Sequence, residues 1–192
     1  MILEGAAESP TSTAAPESDQ PIHVLFLCTG NSARSILAEA ILNRWGGAGW
    51  LASSAGSDPK RTPHAVTLET LTRLGYETKG LRSKSWDEFA SSESPPLDFI
   101  VTVCANAAGE SCPIWPGRPT SAHWGLRDPA AFQGSKEEQR TFFEEIHDAL
   151  REKIERLIDL DRSSGEPPAS SAADRHDRVE RIAAGIAEIG LS

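Results

Sequence analysis

The stretch from Ile22 to Trp45 constrains this chain more than any other. It opens with Ile22-His23-Val24-Leu25-Phe26-Leu27, a short apolar run rich in β-branched and aromatic residues that ends at a small polar loop. That pattern predicts a strand buried on both faces. Beyond the loop, Ile36, Leu37, Ala40, Ile41 and Trp45 recur at helical spacing, and Gly46-Gly47 supply a left-handed stop. A strand–loop–helix unit of this kind aims the backbone N–H groups of the loop and the helix N-terminus at one point, which makes an anion site. Cys28 opens the loop and Arg34 closes it, with five residues between.

A loop of that length can wrap one tetrahedral oxyanion, Thr29 to Ser35 (Thr29, Gly30, Asn31, Ser32, Ala33, Arg34, Ser35) forming the cradle. Backbone amides would meet several oxygens while the Arg34 guanidinium makes a planar, bidentate contact with two. The same positive surroundings favour the thiolate of Cys28, placing a nucleophile against the central atom of the anion. Asn31 is a residue type that tolerates positive φ and suits the curl of the loop. Ser35 is placed for its hydroxyl to hydrogen-bond the thiolate. No Gly-Lys-Ser/Thr follows, so this is not a nucleotide P-loop. The bare cysteine–arginine spacing is weak evidence; its position after a buried strand and before a helix gives it weight.

The rest of the chain fits one domain with tails. With 192 residues it can bury a single core without covalent staples. A net charge of −9 argues against non-specific nucleic-acid binding and makes the anion site a local positive spot in an acidic field. Residues 1–20 are Ala, Ser, Thr, Pro and Glu with few large apolar groups, and are expected to form a disordered tail without signal-peptide character. No apolar run is long enough to span a membrane. Three widely separated cysteines do not make a secreted disulfide framework, so a cytoplasmic protein is expected.

Trp50 to Gly56 reads as a second strand. Thr62-Pro63 predicts a helix start, with Leu68, Leu71 and Leu74 inside and Gly75 as its stop. Ser85 is placed to cap a single turn. Leu97 to Val103 predicts a third strand ending at Cys104, and Ser121 to Trp124 a short fourth, with Asp128-Pro129 in the loop beyond. Ser135 and Glu138 form a capping box for a long helix carrying Phe143, Ile146, Leu150, Ile154 and Leu157 on one face. Arg162 to Arg175 is a polar linker by composition, and Val179, Ile182, Ile186 and Ile189 mark a last amphipathic helix within a 161–192 tail segment. The domain proper is 21–160: α/β, a four-stranded parallel sheet with helices on both faces. Ligands of such sheets bind beyond the carboxyl ends of the strands, where Cys28, Cys104 and Asp128 should converge.

Cys104 ends a predicted strand and Cys112 follows eight residues later in a small-residue loop. Two cysteines without a nearby Cys or His pair do not make a zinc site, and the histidines (His23, His64, His123, His147, His176) form no ligand cluster. Neither a metal nor a cofactor is called for. Two unrelated thiols and a redox pair both remain open from the residues alone. His123 reads as a structural strand-end residue, and Asp128-Pro129 alone as a turn starter.

The loop Cys28-Thr29-Gly30-Asn31-Ser32-Ala33-Arg34-Ser35 resembles the signature loop of the low-molecular-weight tyrosine phosphatase fold. More narrowly, it resembles the arsenate reductases built on that fold, and the similarity continues through Cys112-Pro113-Ile114-Trp115-Pro116-Gly117, His123-Trp124-Gly125 and Asp128-Pro129, within about Ile22 to Leu160. The resemblance implies a low-molecular-weight phosphatase-like fold and a three-thiol relay. Cys28 attacks arsenate, Asp128 protonates the departing oxygen, Cys104 displaces arsenite from Cys28, and Cys112 resolves the result into a redox disulfide, Cys104–Cys112. Phosphate or sulfate would fit the same loop. Thioredoxin is the reductant an internal resolving Cys112 favours, with glutaredoxin and a low-molecular-weight thiol as the other route. Where tyrosine phosphatases of this fold place an aromatic after Asp-Pro, this chain has Ala130, which disfavours aryl phosphates. The alternatives are a phosphotyrosine or phosphomonoester phosphatase, which needs Cys28, Arg34 and Asp128 but neither Cys104 nor Cys112, and a non-catalytic oxyanion or thiol sensor.

Overall fold

The computed structural model describes residues 20–91, 93–104, 114–162 and 172–191. Four strands, β1 (Ile22–Leu27), β2 (Trp50–Ala55), β3 (Phe99–Thr102) and β4 (Thr120–His123), form one sheet in the order β2-β1-β3-β4. All three pairings are parallel, with Leu27 opposite both Ala55 and Thr102, and Thr102 opposite His123. The chain leaves β1 for β2 on one side and later returns to β3 on the other. The carboxyl end of β1 is therefore a topological switch point, the place where open parallel sheets bind ligands.

Every residue of β1 is buried, as its apolar run predicts. Alternate side chains serve two cores. Val24 and Phe26, with Phe99 and Val101, pack under α1 (Arg34–Trp45) and α3 (Lys136–Arg162). Leu25 and Leu27 join Ala55, Ile100, Leu97 and Trp115 on the opposite face, covered by a 3-10 turn at Trp86–Phe89. Helical cover is thus present on both faces but unequal among the described residues: α1, α2 (Ala65–Arg73), α3 and α4 (Ala172–Ile189) all bury side chains in the first core.

The helix signals in the sequence have physical counterparts. Ser135 Oγ accepts the Glu138 N–H while Glu138 Oε2 accepts the Ser135 N–H at 2.8 Å, a closed capping box at the start of α3. Gly47 (φ 67°) follows α1 and Gly75 (φ 76°) follows α2 in the left-handed region. Ser85 caps the 3-10 turn by accepting the Asp87 N–H.

Several boundaries differ from expectation. Helix α2 begins at Ala65 with His64 as its cap, not at Thr62-Pro63, because His64 Nδ1 accepts the Val66 N–H and the His64 N–H is tied to Ser32 O. Strand β3 is shorter at both ends than 97–103, though Val103 N still reaches Leu27 O, and β4 lies one residue earlier than Ser121–Trp124. The proposed linker ends sooner, since residues 172–175 are already helical. Residues 1–19 and Cys112 lie outside the described residues. Among the described residues no helix is long and apolar enough to cross a membrane.

Candidate functional site

The loop after β1 is held from outside by its carbonyls. Thr29 O accepts the Asp58 N–H (2.9 Å), Gly30 O the Lys60 N–H (3.0 Å), and Ser32 O the His64 N–H (2.9 Å) and Thr67 Oγ (2.9 Å). In a planar trans peptide the next N–H points away from the carbonyl. Tying these three carbonyls to the segment between β2 and α2 therefore turns the amides of Gly30, Asn31 and Ala33 the other way, into the curl. Asn31 adopts φ 38°, which its side-chain type tolerates. Gly56 closes the arrangement from the end of β2: a Cβ there would lie 2.4 Å from Thr29 O and 2.6 Å from Cys28 O. Only glycine admits the loop that close.

A buried polar chain runs from this loop into the fold. Lys84 Nζ lies 3.2 Å from Glu39 Oε2, with both side chains nearly buried (7% and 12% exposed). Glu39 as a carboxylate only accepts, so Ser54 Oγ donates to it at 2.5 Å. Ser54 must then accept from Asn31 Nδ2 (2.9 Å), whose second N–H goes to Ser35 Oγ (2.9 Å). The Lys84 backbone N–H fixes the same amide orientation by donating to Asn31 Oδ1 at 2.6 Å. Ser35, accepting from Asn31, is left with its own proton to offer Cys28 Sγ at 3.0 Å. Glu39 takes the Ser54 proton, the Asn31 amide held by the Lys84 N–H sets the sense of the rest of the chain, and its last donor faces the thiol. A thiolate is the form that gains most from such a donor.

Arg34, the first residue of α1, spreads its guanidinium across the opposite wall. Nη1 donates to Leu126 O (2.9 Å) and Nη2 pairs with Asp128 Oδ2 (2.8 Å). Arg34 Nε is buried and meets no acceptor among the described residues. Asp128 also accepts the Ala130 N–H on Oδ1 (3.0 Å), capping the 3-10 turn Pro129–Ala131. It is both the turn starter and a partner of the arginine. Cys28, Gly30, Ala33 and Arg34 line a cleft of about 780 Å³ walled by Lys60, Thr62, Pro63 and His64 on one side and Asp128, Ala130 and Ala131 on the other.

Cys28 is 4% exposed and Cys104 2%, and both are thiols. Cys104 Sγ lies 3.7 Å from Thr29 Oγ1, which places the end of β3 against the loop. Cys28, Cys104 and Asp128 therefore lie at one sheet edge, Cys28 and Asp128 on the cleft and Cys104 behind Thr29 rather than in its lining. His123 is structural: its Nδ1 is 2.8 Å from Thr102 Oγ1 on the neighbouring strand. The sequence reading missed Glu39, Ser54 and Lys84, which have no local signature, and Gly56, whose place just after an apolar strand was an available cue. It also missed Thr62 and His64 as cleft walls. Among the described residues no cluster of His, Cys, Asp or Glu is arranged to hold a metal.

A parallel sheet with a thiol and an arginine lining one cleft at its switch point defines a class: an α/β domain with a cysteine and an arginine at the floor of its candidate site. Residues 23–164 match the family described as low molecular weight phosphotyrosine protein phosphatase, and the chain belongs to that family. Over 137 residues it is 32% identical to an arsenate reductase of Bacillus subtilis, covering 71% of this chain and 94% of that protein. The crystal structure of an arsenate reductase from Archaeoglobus fulgidus superposes with a TM-score of 0.56 at 27% identity, over 70% of this chain and 98% of the other. A thioredoxin-dependent arsenate reductase of Corynebacterium glutamicum gives 0.51 at 27% identity, over 77% of this chain and 65% of that one.

Proposed function

We propose that this chain reduces arsenate to arsenite through a relay of three thiols, in the cytoplasm, as part of arsenic detoxification. The observation that carries the reading is the cleft floor: Cys28 and Arg34 line one cleft large enough for a tetrahedral oxyanion, and Arg34 Nε has no acceptor among the described residues. Arg34 already spends one N–H each on Leu126 and Asp128. Its Nε edge supplies the fork for an anion oxygen pair. Among the described residues no ring of Phe, Tyr or Trp lines the cleft, and Ala130 and Ala131 follow Asp128 on its wall, which favours a small inorganic oxyanion.

In this reading the Cys28 thiolate attacks arsenic, one As–O bond breaks, and the oxygen leaves as water with a proton from Asp128. Asp128 exchanges Arg34 for the substrate oxygen to do so. The Cys104 thiolate then attacks the Cys28 sulfur. The S–As bond breaks, its electron pair stays on arsenic, and arsenite leaves behind a Cys28–Cys104 disulfide. Cys112 attacks the Cys104 sulfur, frees Cys28 and leaves Cys104–Cys112 for an external dithiol. The 3.7 Å contact of Cys104 with Thr29 supports Cys104 as the second thiol. Thioredoxin is the proposed reductant, as in the Corynebacterium relative's description. The test is arsenate-dependent NADPH oxidation with reconstituted thioredoxin and glutaredoxin systems in parallel. Turnover with thioredoxin that Cys28→Ser abolishes is expected. Absence of arsenate-dependent oxidation with either system overturns the reading.

A further inference from the structure

Helix α4 lies beyond the matched family region, which ends at residue 164, yet it is built into the core. Ile182 and Ile186 are fully buried and Ile189 is 2% exposed. Its first turns are pinned at the amino edge of the sheet, where Arg175 pairs with Asp98 (2.8 Å) and Arg178 makes a two-point contact with Asp161 (2.5 and 2.6 Å). An 18-residue helix is about 27 Å long, enough to run from that edge to the carboxyl edge.

Its far end meets the strand that leads to Arg34. The last carbonyls of a helix have no intrahelical donor. Here Ile186 O accepts the Trp124 indole N–H (3.1 Å), and Ile189 O accepts Lys153 Nζ (2.7 Å). Gly190 lies directly on the end of β4: a Cβ there would be 1.9 Å from His123 O and 3.2 Å from Trp124 Cδ1. Trp124 is fully buried against Phe26, and its N–H continues the sheet ladder to Thr102 O at 2.8 Å. Two residues on, Leu126 O holds Arg34 Nη1, and two further Asp128 holds Nη2. One short arm, clamped at its root by the helix end, thus presents both acceptors that orient the guanidinium.

We propose that the C-terminal end of α4 is a positioning element for the oxyanion site: Ile186 O and Gly190 fix His123–Trp124, and through them the Leu126–Asp128 arm that aims Arg34. This rests on the reading of the loop as an anion site, and the probe is inorganic phosphate, so that reduction of arsenate is not needed for the measurement. Phosphate affinity is measured calorimetrically on the full chain for wild type, Gly190→Ala, Trp124→Phe and Arg178→Gln, with circular dichroism to establish folding. Gly190→Ala forces the helix end and β4 apart, and Trp124→Phe removes the indole donor together with part of the buried ring while leaving an aromatic beside Phe26.

Both should weaken phosphate binding, by about tenfold for Gly190→Ala, since a misplacement of about 1 Å can cost about 10²-fold. Arg178→Gln loosens the other end of the helix and should lower Tm without changing the affinity. Wild-type affinity in both Gly190→Ala and Trp124→Phe overturns the proposal, as does an equal loss in Arg178→Gln. If Gly190→Ala fails to fold, Trp124→Phe decides. A wild-type protein that binds neither phosphate nor arsenate sinks the anion-site reading itself, an outcome distinct from variants that bind as wild type does.

Discussion

Arg34 and Asp128 meet at 2.8 Å across the cleft, the guanidinium largely buried at 11% exposure and the carboxylate open at 42%. One partner is fixed by the start of α1, the other by a 3-10 turn that it caps itself. The pair orients the arginine through Nη2, and its Nε–H has no acceptor among the described residues. Under the proposed function, an arriving oxyanion would meet a guanidinium already held by Leu126 and Asp128, beside a carboxylate with access to solvent.

Asp128→Asn should therefore separate binding from chemistry. Asparagine keeps one acceptor oxygen for the Ala130 N–H and gives up the Oδ2 contact with Arg34, whose guanidinium is still held by Leu126 O, so phosphate affinity is expected to stay within about threefold of wild type. It carries no acidic proton, and general acid catalysis contributes about 10²–10⁴-fold. The single-turnover rate of covalent adduct formation should fall by that order. A loss under about threefold would leave Asp128 as a turn residue and orienting partner only.

The Lys84–Glu39 pair yields a stability prediction. Lys84→Met removes the cation and leaves Glu39 nearly buried beside Ser54. Breaking one side of a buried pair costs about 3–5 kcal/mol, whereas replacing both by apolar groups is often neutral. Urea unfolding should show Lys84→Met strongly destabilised and Lys84→Met/Glu39→Leu substantially recovered. In the double variant the Lys84 backbone N–H still orients Asn31, so Ser35 keeps its proton for Cys28, and alkylation of Cys28 should stay near the wild-type rate as the fold recovers. Equal stability of the single variant and wild type would show that the pair contributes no such term.

The parts legible in the sequence were those written in contiguous residues. The Ile22–Leu27 run named its strand to the residue, and the capping box at Ser135 and Glu138 closed as read. Asn31 was legible as a positive-φ residue and Ser35 as the neighbour of the thiol because both lie within one loop. What was not legible depends on closures across distance. Glu39 and Lys84 lie 45 residues apart and become partners only once β2 has paired with β1. Thr62-Pro63 carries a genuine helix-start pattern, but Ser32 O captures the His64 N–H and the helix starts two residues later, with His64 as its cap. Helix α4 showed its apolar stripe, while its docking depends on Asp98, Asp161 and Trp124, each remote in the chain.

His23 gives a pH prediction of definite sign. Burial pushes its pKa below the ordinary 6.5, against a smaller upward pull from the Pro96 carbonyl and Asp98. The carbonyl of Pro96 can only accept, so Nδ1 carries the proton and Nε2 accepts from Ser53 Oγ at 2.9 Å. Below pH 6.5 the unfolded chain binds a proton at this residue before the folded chain does. Stability from neutral His23 is thus complete above about 6.5 and is lost as pH falls, by at most about 1.4 kcal/mol per pH unit. Urea midpoints at pH 7.5 and 5.5 should fall on acidification in wild type and fall less in His23→Gln. Identical slopes in the two proteins would place the acid sensitivity elsewhere.

The last prediction turns on Cys104 and Cys112. If the chain reduces arsenate by the proposed relay, Cys104→Ser blocks arsenite release, because nothing attacks the Cys28 adduct. Cys112→Ser instead allows about one turnover and then stalls with a Cys28–Cys104 disulfide, since the resolving thiol is gone. A phosphomonoesterase breaks its cysteinyl-phosphate with water, so neither substitution would touch that activity. A sensor would bind arsenate without turnover in any variant. The measurements are single-turnover arsenite release and mass spectrometry of non-reduced peptides, in which wild type exposed to arsenate should accumulate Cys104–Cys112. Arsenate reduction at the wild-type rate by both variants with thioredoxin would remove the relay and leave Cys28 and Arg34 as a phosphatase-like site alone.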